Sequence, residues 1–206
     1  MKYLLYFVPI YMQQIKCVIV GDEGIGKTSL LFVFSSNLYV GDYVPKLYEY
    51  IGYDRCSVER IIKERYVNLI FWDTSVGDTQ NRIRKLSYSS AEIVLLCFSI
   101  VSPLSFGNIK EKWITKIRQE CPNIPFLLIG TKVDLRENRR VMELLKSRKQ
   151  SPITKRQGIE LAKEIGAISY MECSSLEIQG TNDIIQEIVK IVTEPRKEKT
   201  EGCRTM

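Results

Sequence analysis

Apolar residues along the chain fall into short blocks separated by polar turns, and the blocks alternate between two periodicities. Residues 15–20 (IKCVIV) form a mainly β-branched run that stops at Gly21, which predicts a strand buried on both faces. Residues 28–34 follow with helical character. Residues 50–58 and 66–72 flank the polar stretch 59–65 and predict a hairpin. Three further apolar runs, 93–99, 125–130 and the shorter 168–171, predict strands, and helical patterns occupy 106–120, 154–165 and 181–192. This alternation predicts an α/β fold of three layers, a mostly parallel six-stranded sheet with helices on both faces. Ligands of such sheets lie beyond the carboxyl ends of the strands.

The length of 206 residues fits one domain with tails. Residues 1–11 (MKYLLYFVPIY) are strongly apolar but too few to span a bilayer. A signal-peptide reading is poor, because Gln13 and Gln14 lead into a core strand without a small-residue cleavage site. Residues 136–150 form a charged insertion with a weak helical pattern, and 194–206 form a charged tail without apolar periodicity. The net charge of +6 is spread along the chain, so there is no basic stripe of the kind that binds nucleic acid. Weak attraction to an anionic membrane surface stays open. Six cysteines, at 17, 56, 97, 121, 173 and 203, show no metal-ligand spacing, and the absence of histidine excludes Ser-His and Cys-His catalytic pairs. Cys17, Cys97 and Cys173 sit in apolar runs and read as buried core residues of a cytosolic protein.

Chemistry is carried by three segments, each placed just after a predicted strand. Gly21-Asp22-Glu23-Gly24-Ile25-Gly26-Lys27-Thr28, with Ser29 next, matches the phosphate-binding pattern G-x-x-x-x-G-K-[ST] between a strand and a helix. Its glycines let backbone N–H groups wrap phosphates, and the helix N-terminus adds positive potential. Lys27 is expected to reach the β- and γ-phosphates, and the Thr28 hydroxyl to bind Mg²⁺. In Thr131-Lys132-Val133-Asp134 the carboxylate can accept two hydrogen bonds from guanine N1–H and its 2-amine, a donor pair adenine lacks. Lys132 is expected to lie along the base. After residue 173, Ser174 and Ser175 offer a backbone N–H to the guanine O6; an ordinary helix cap is the alternative. Tyr39, in the loop after the first helix, either covers the base edge or is an ordinary half-buried aromatic.

Together these motifs resemble the Ras superfamily of P-loop GTP-binding proteins and, within it, the Rho/Rac branch. The resemblance runs from Met12 to about Val192 and includes WDT at 72–74, CFSIVSPLSF at 97–106, GTKVDLRE at 130–137, SPITKRQG at 151–158, LAKEIGA at 161–167 and ECSSL at 172–176. It implies a Ras-like domain over 12–193, with 136–150 in the place of the Rho-type insert. It also implies a monomeric switch in actin and membrane dynamics that binds GTP or GDP with Mg²⁺, held by Thr28 and Asp73. Implied partners are effector proteins, an exchange factor, a GAP and a GDI, and the implied location is cytoplasmic with peripheral attachment to the cytoplasmic face of a membrane. MQQIKCVIVGD, from Met12, looks like a Rac-type start, so 1–11 reads as an extension or a spurious upstream start, with a hydrophobic anchor as the alternative. Cys203-Arg204-Thr205-Met206 has the position of a C-a-a-X prenylation signal in which Met favours farnesyl. Arg204 and Thr205 are not aliphatic, and an unmodified tail is the alternative.

Four switch positions depart from the family pattern. Glu23 stands where Rho proteins usually carry Gly, and is expected to add bulk and charge beside the γ-phosphate. Lys46 replaces the Thr that caps Mg²⁺; it is expected to fold over the pocket and pair with Glu23 or the phosphates, or else to point into solvent. Val76 replaces the pivot glycine of D-x-x-G, and Gly77 replaces the glutamine that orients the attacking water. No catalytic residue is therefore assigned, hydrolysis is expected to be very slow or absent, and a scaffold holding GDP or no nucleotide is the alternative. Residues 47–51 follow the Rac effector stretch only loosely, and the segment around 61–65 is expected to lengthen the hairpin.

Overall fold

The computed structural model describes residues 13–39, 55–73 and 88–194. Six strands form one sheet in the order β2-β3-β1-β4-β5-β6: β1 Gln13–Val20, β2 Arg55–Ile62, β3 Arg65–Asp73, β4 Ile93–Ser99, β5 Phe126–Thr131 and β6 Tyr170–Glu172. Every pairing is parallel except β2 with β3. Helices α1 (Lys27–Ser36), α2 (Pro103–Asn108), α3 (Ile114–Glu120), α4 (Arg139–Ser147), α5 (Lys155–Ile165) and α6 (Thr181–Thr193) connect or follow the strands. This is the mostly parallel α/β architecture expected from the alternation of blocks.

Alternate residues of the central strands feed two separate cores, as the period of two requires. Ile15, Cys17 and Ile19 of β1 join Leu95 and Cys97 of β4, with Leu30, Leu31 and Phe34 of α1 and Ile184 and Ile188 of α6. Val18 and Val20 face the other way, with Leu96 and Phe98, Ile114 and Ile117 of α3, and Leu161 and Ile165 of α5. All seven residues of β4 are buried, the signature of a strand covered on both faces.

Element boundaries differ from the expectation in ways with local causes. The polar stretch 59–65 is mostly strand, and the hairpin turns on Lys63 and Glu64 alone, both with positive φ (48° and 64°). That pair of left-handed residues gives the twist that suits a two-residue hairpin, in the place where glycine or asparagine is usual. The helix expected over 106–120 starts earlier, at Pro103, because Ser102 accepts the Ser105 N–H at 3.3 Å as an N-cap. It also contains a π-turn, Ile109–Trp113, between α2 and α3. The last strand lies two residues later at its start than expected: Gly166 caps α5 in the left-handed conformation, and regular pairing with β5 begins only at Tyr170. The insertion forms α4, N-capped by Asn138.

Candidate nucleotide-binding site

β1 is flanked by β3 on one side and β4 on the other, so the connections leave its carboxyl end in opposite directions and open a crevice there. Residues 21–26 line the crevice and lead into α1. Gly21 runs so close to β4 that a Cβ there would stand 2.2 Å from the Cys97 carbonyl oxygen. Only glycine lets the loop turn at this depth. The Lys27 amine is almost wholly buried and donates to the carbonyls of Gly21 (2.9 Å) and Asp22 (2.6 Å). Burial pulls its pKa below the ordinary value, and the carboxylates of Asp73, Asp22 and Glu23 resist that shift. A buried cation hydrogen-bonded to the carbonyls of its own loop is suited to an incoming polyanion.

Donors from the end of β5 hold the other half of the loop. Thr131 Oγ1 donates to the Ile25 carbonyl at 2.6 Å, and Lys132 Nζ to the Gly24 carbonyl at 2.6 Å. In a trans peptide the N–H opposes the preceding C=O, so the N–H groups of Ile25 and Gly26 face away from these donors. Fixing two carbonyls thus sets the direction of two amide donors. Ile25 sends its side chain into the core, Glu23 and Gly24 are exposed, and Ser29 is half-buried in the first turn of α1.

Thr28 Oγ1 donates to Asp73 Oδ2 at 2.8 Å, joining the start of α1 to the end of β3. A hydroxyl and a carboxylate side by side are hard oxygen donors suited to Mg²⁺. Among the described residues no group of three or more His, Cys, Asp or Glu could hold a metal alone. The remaining ligands would come from phosphate and water, which is how Mg²⁺ usually binds.

On the base side, Lys132 is held left-handed (φ 62°), an uncommon state for a residue with a side chain. Ser174 Oγ donates to Asp134 Oδ1 at 2.6 Å, so the two segments expected to read guanine are joined. The Val133 N–H donates to the Cys173 carbonyl at 3.2 Å and ties their backbones. A model of the Ras family matches residues 16–194.

The chain belongs to the Ras family. It is a small GTP-binding signalling protein, and proteins of this family bind guanine nucleotides, generally with Mg²⁺. In this Ras-family protein the fold brings together Gly21, Gly24, Ile25, Gly26, Lys27, Thr28, Asp73, Thr131, Lys132, Asp134 and Ser174 at one end of the sheet. Ser175 is half-buried beside them. Tyr39 is half-buried past the end of α1, and no hydrogen bond joins it to these residues. Lys46, residues 47–51, Val76, Gly77 and Cys203 lie outside the described residues, as do the extension 1–11 and the tail beyond 194.

Two supports of the Ras-family site escaped sequence reasoning. Arg136 pairs with both carboxylate oxygens of Glu172 (2.9 and 2.5 Å), and Tyr170 Oη donates to the same group at 2.8 Å. Burial disfavours the Glu172 carboxylate, but the hydrogen bonds outweigh it and hold the pKa below its ordinary value. The pair fastens the segment after Asp134 to the strand before Ser174. The second support is Asp22, whose Oδ2 accepts from Asn108 Nδ2 at 2.6 Å and whose Oδ1 accepts from Trp113 Nε1 at 2.8 Å. The partners lie 86 and 91 residues away, and no local pattern announces such contacts.

Proposed function

We propose that this Ras-family protein is a Rho-like switch that keeps GTP bound and hydrolyses it very slowly or not at all. The observation that carries the reading is a split between two halves of the site. Groups suited to holding a guanine nucleotide are assembled, whereas the position of the water-orienting glutamine is Gly77, which has no side chain. Lys27 and the amides of residues 25–26 would hold phosphates, and Asp134 would take the guanine edge with Lys132 along the base. Ser174 and Ser175 would offer backbone N–H to O6. Thr28 and Asp73 would hold Mg²⁺, which when bound offsets phosphate charge.

Glu23 bears on the same half. Its side chain is exposed on the loop, and its charge acts on Lys27. A carboxylate there repels a third phosphate unless a cation answers it. Lys46 is our candidate for that cation. GTP release from Lys46→Ala should then be several-fold faster than from wild type, and equal rates would remove Lys46 from the account. The extended role, signalling to actin and membranes through effectors, with attachment to the cytoplasmic face of a membrane by a prenyl group on Cys203, rests on the resemblance alone.

The direct test is the nucleotide released on denaturing the purified protein, resolved by anion exchange. Mostly GTP is expected. Mostly GDP would sink the persistently loaded reading, in favour of either a cycling GTPase whose GAP completes the site or a scaffold that captures GDP. An empty protein would favour an interaction scaffold.

A further inference from the structure

The loop residue that the nucleotide-binding reading leaves without a task is Asp22. Its carboxylate sits within the phosphate loop, where a negative charge works against an anionic ligand. Its backbone carbonyl accepts from Lys27 at 2.6 Å, and its charge also acts on that amine. Both carboxylate oxygens are nevertheless turned away, one to Asn108 and the other to Trp113.

A break in helical geometry makes this grip possible. Residues five apart are about 140° apart around an α-helix, so Asn108 and Trp113 could not both reach one carboxylate from a regular helix. Between them lies the π-turn Ile109–Trp113, closed by an Ile114 N–H to Ile109 C=O hydrogen bond. Its i→i+5 bonding brings residues five apart round to nearly one face. Trp113 is itself 6% exposed, and the amines of Lys112 and Lys116 lie 4.8 and 5.7 Å from its ring centroid. The indole is therefore held in place from several sides.

We propose that Asn108 and Trp113 are positioning residues for nucleotide retention: by gripping the Asp22 carboxylate they keep it off Lys27 and leave that cation to the phosphates. Without the two donors, the Asp22 carboxylate is released toward Lys27, whose amine already bonds the Asp22 carbonyl, and competes with the nucleotide for it. The proposal rests on the nucleotide-binding reading and adds a control of residence time seated in the helix, outside the residues that touch the ligand.

The test is release of a fluorescent GDP analogue, with Mg²⁺ present, from wild type, Trp113→Phe, Asn108→Ala and the double variant. Phenylalanine keeps most of the ring packing and deletes only the N–H donor. Each single change should raise the release rate about tenfold, the order expected for a hydrogen bond to a charged group. Adding Asp22→Ala to the double variant should restore most of the retention, because the competing carboxylate is gone. Because Asp22→Ala also relieves an unpaired carboxylate, the denaturant midpoint of each nucleotide-free variant is read alongside; release that changes while the midpoint does not separates positioning from stability. Wild-type release rates in the variants, or faster release that Asp22→Ala does not slow, would overturn the proposal while leaving the nucleotide reading intact. A wild-type protein that binds no guanine nucleotide would overturn both.

Discussion

Replacing Lys27 by methionine is expected to weaken GDP and GTP binding by about a thousandfold or more, while leaving the nucleotide-free fold as stable as before or more so. The two effects share one cause. The amine is almost wholly buried, and its partners in the free protein are carbonyls of its own loop. Hydrogen bonds to charged groups contribute about 1.5–3 kcal/mol each, so losing two or three to the phosphates removes roughly 4 kcal/mol or more. That amount corresponds to about three decades in affinity. In the free protein the same ammonium is costly, because burial lowers its pKa from the ordinary 10.5. In the pH window between the lowered folded value and 10.5 the unfolded chain binds more protons, so Lys27 makes stability rise with pH there. Below the folded value its full cost is present. Denaturant titrations of nucleotide-free protein across that window should show this slope in wild type and not in Lys27→Met. A calorimetric binding loss under tenfold would refute the assignment of Lys27 to the phosphates.

Gly180→Ala should be among the most damaging single-methyl additions in the molecule, costing about 3–5 kcal/mol, in the tail of the distribution for point substitutions. Gly180 caps the start of α6 with φ +71°, and a Cβ there would stand 2.3 Å from the Glu172 carbonyl oxygen. That oxygen belongs to backbone and cannot swing aside. Moving it disturbs residue 173, whose N–H donates to the Gly130 carbonyl at 2.9 Å, and Ser174, which holds Asp134. The damage therefore reaches the guanine end of the site as well as the fold. For a chain of this size the loss corresponds to a fall in Tm of about 10 °C or more, measurable by scanning calorimetry. Gly166→Ala is the control, since its φ is +76° but no atom lies within 4 Å of the added methyl. It should cost only the left-handed preference, about 1 kcal/mol. Equal losses at the two sites would show that crowding against Glu172 is not the cause.

Much of the fold was legible because the sequence keeps strict periods where burial is deepest. Residues 93–99 were read as a strand at the observed boundaries, since every side chain there is apolar or small and both faces are covered. Legibility failed where local chemistry was unusual. Lys63 and Glu64 carry a left-handed turn without glycine or asparagine, so the hairpin tip looked like a polar loop. The π-turn left no mark on the apolar spacing of residues 106–120. Within the site, Lys27, Thr28, Lys132 and Asp134 could be read because contiguous motifs carry them. Asp22, Asn108, Trp113 and the Arg136–Glu172 pair could not, because their meaning lies in contacts between distant segments.

The five described cysteines are all buried. Burial pushes the Cys121 thiol up to about 11 and the Cys173 thiol up to about 12, and it raises Cys17 and Cys97 as well. Thiolate is the form that alkylates and oxidises. Near neutral pH the closed sheet therefore presents almost none at these positions, and a reagent must wait for the chain to open. Cys17 and Cys97 lie on adjacent central strands, and Cys173 follows the edge strand β6. Their labelling works as a set of stopwatches inside the molecule, started by mixing with reagent and stopped by parting of the layers. The interval each records is the waiting time before its part of the sheet comes open.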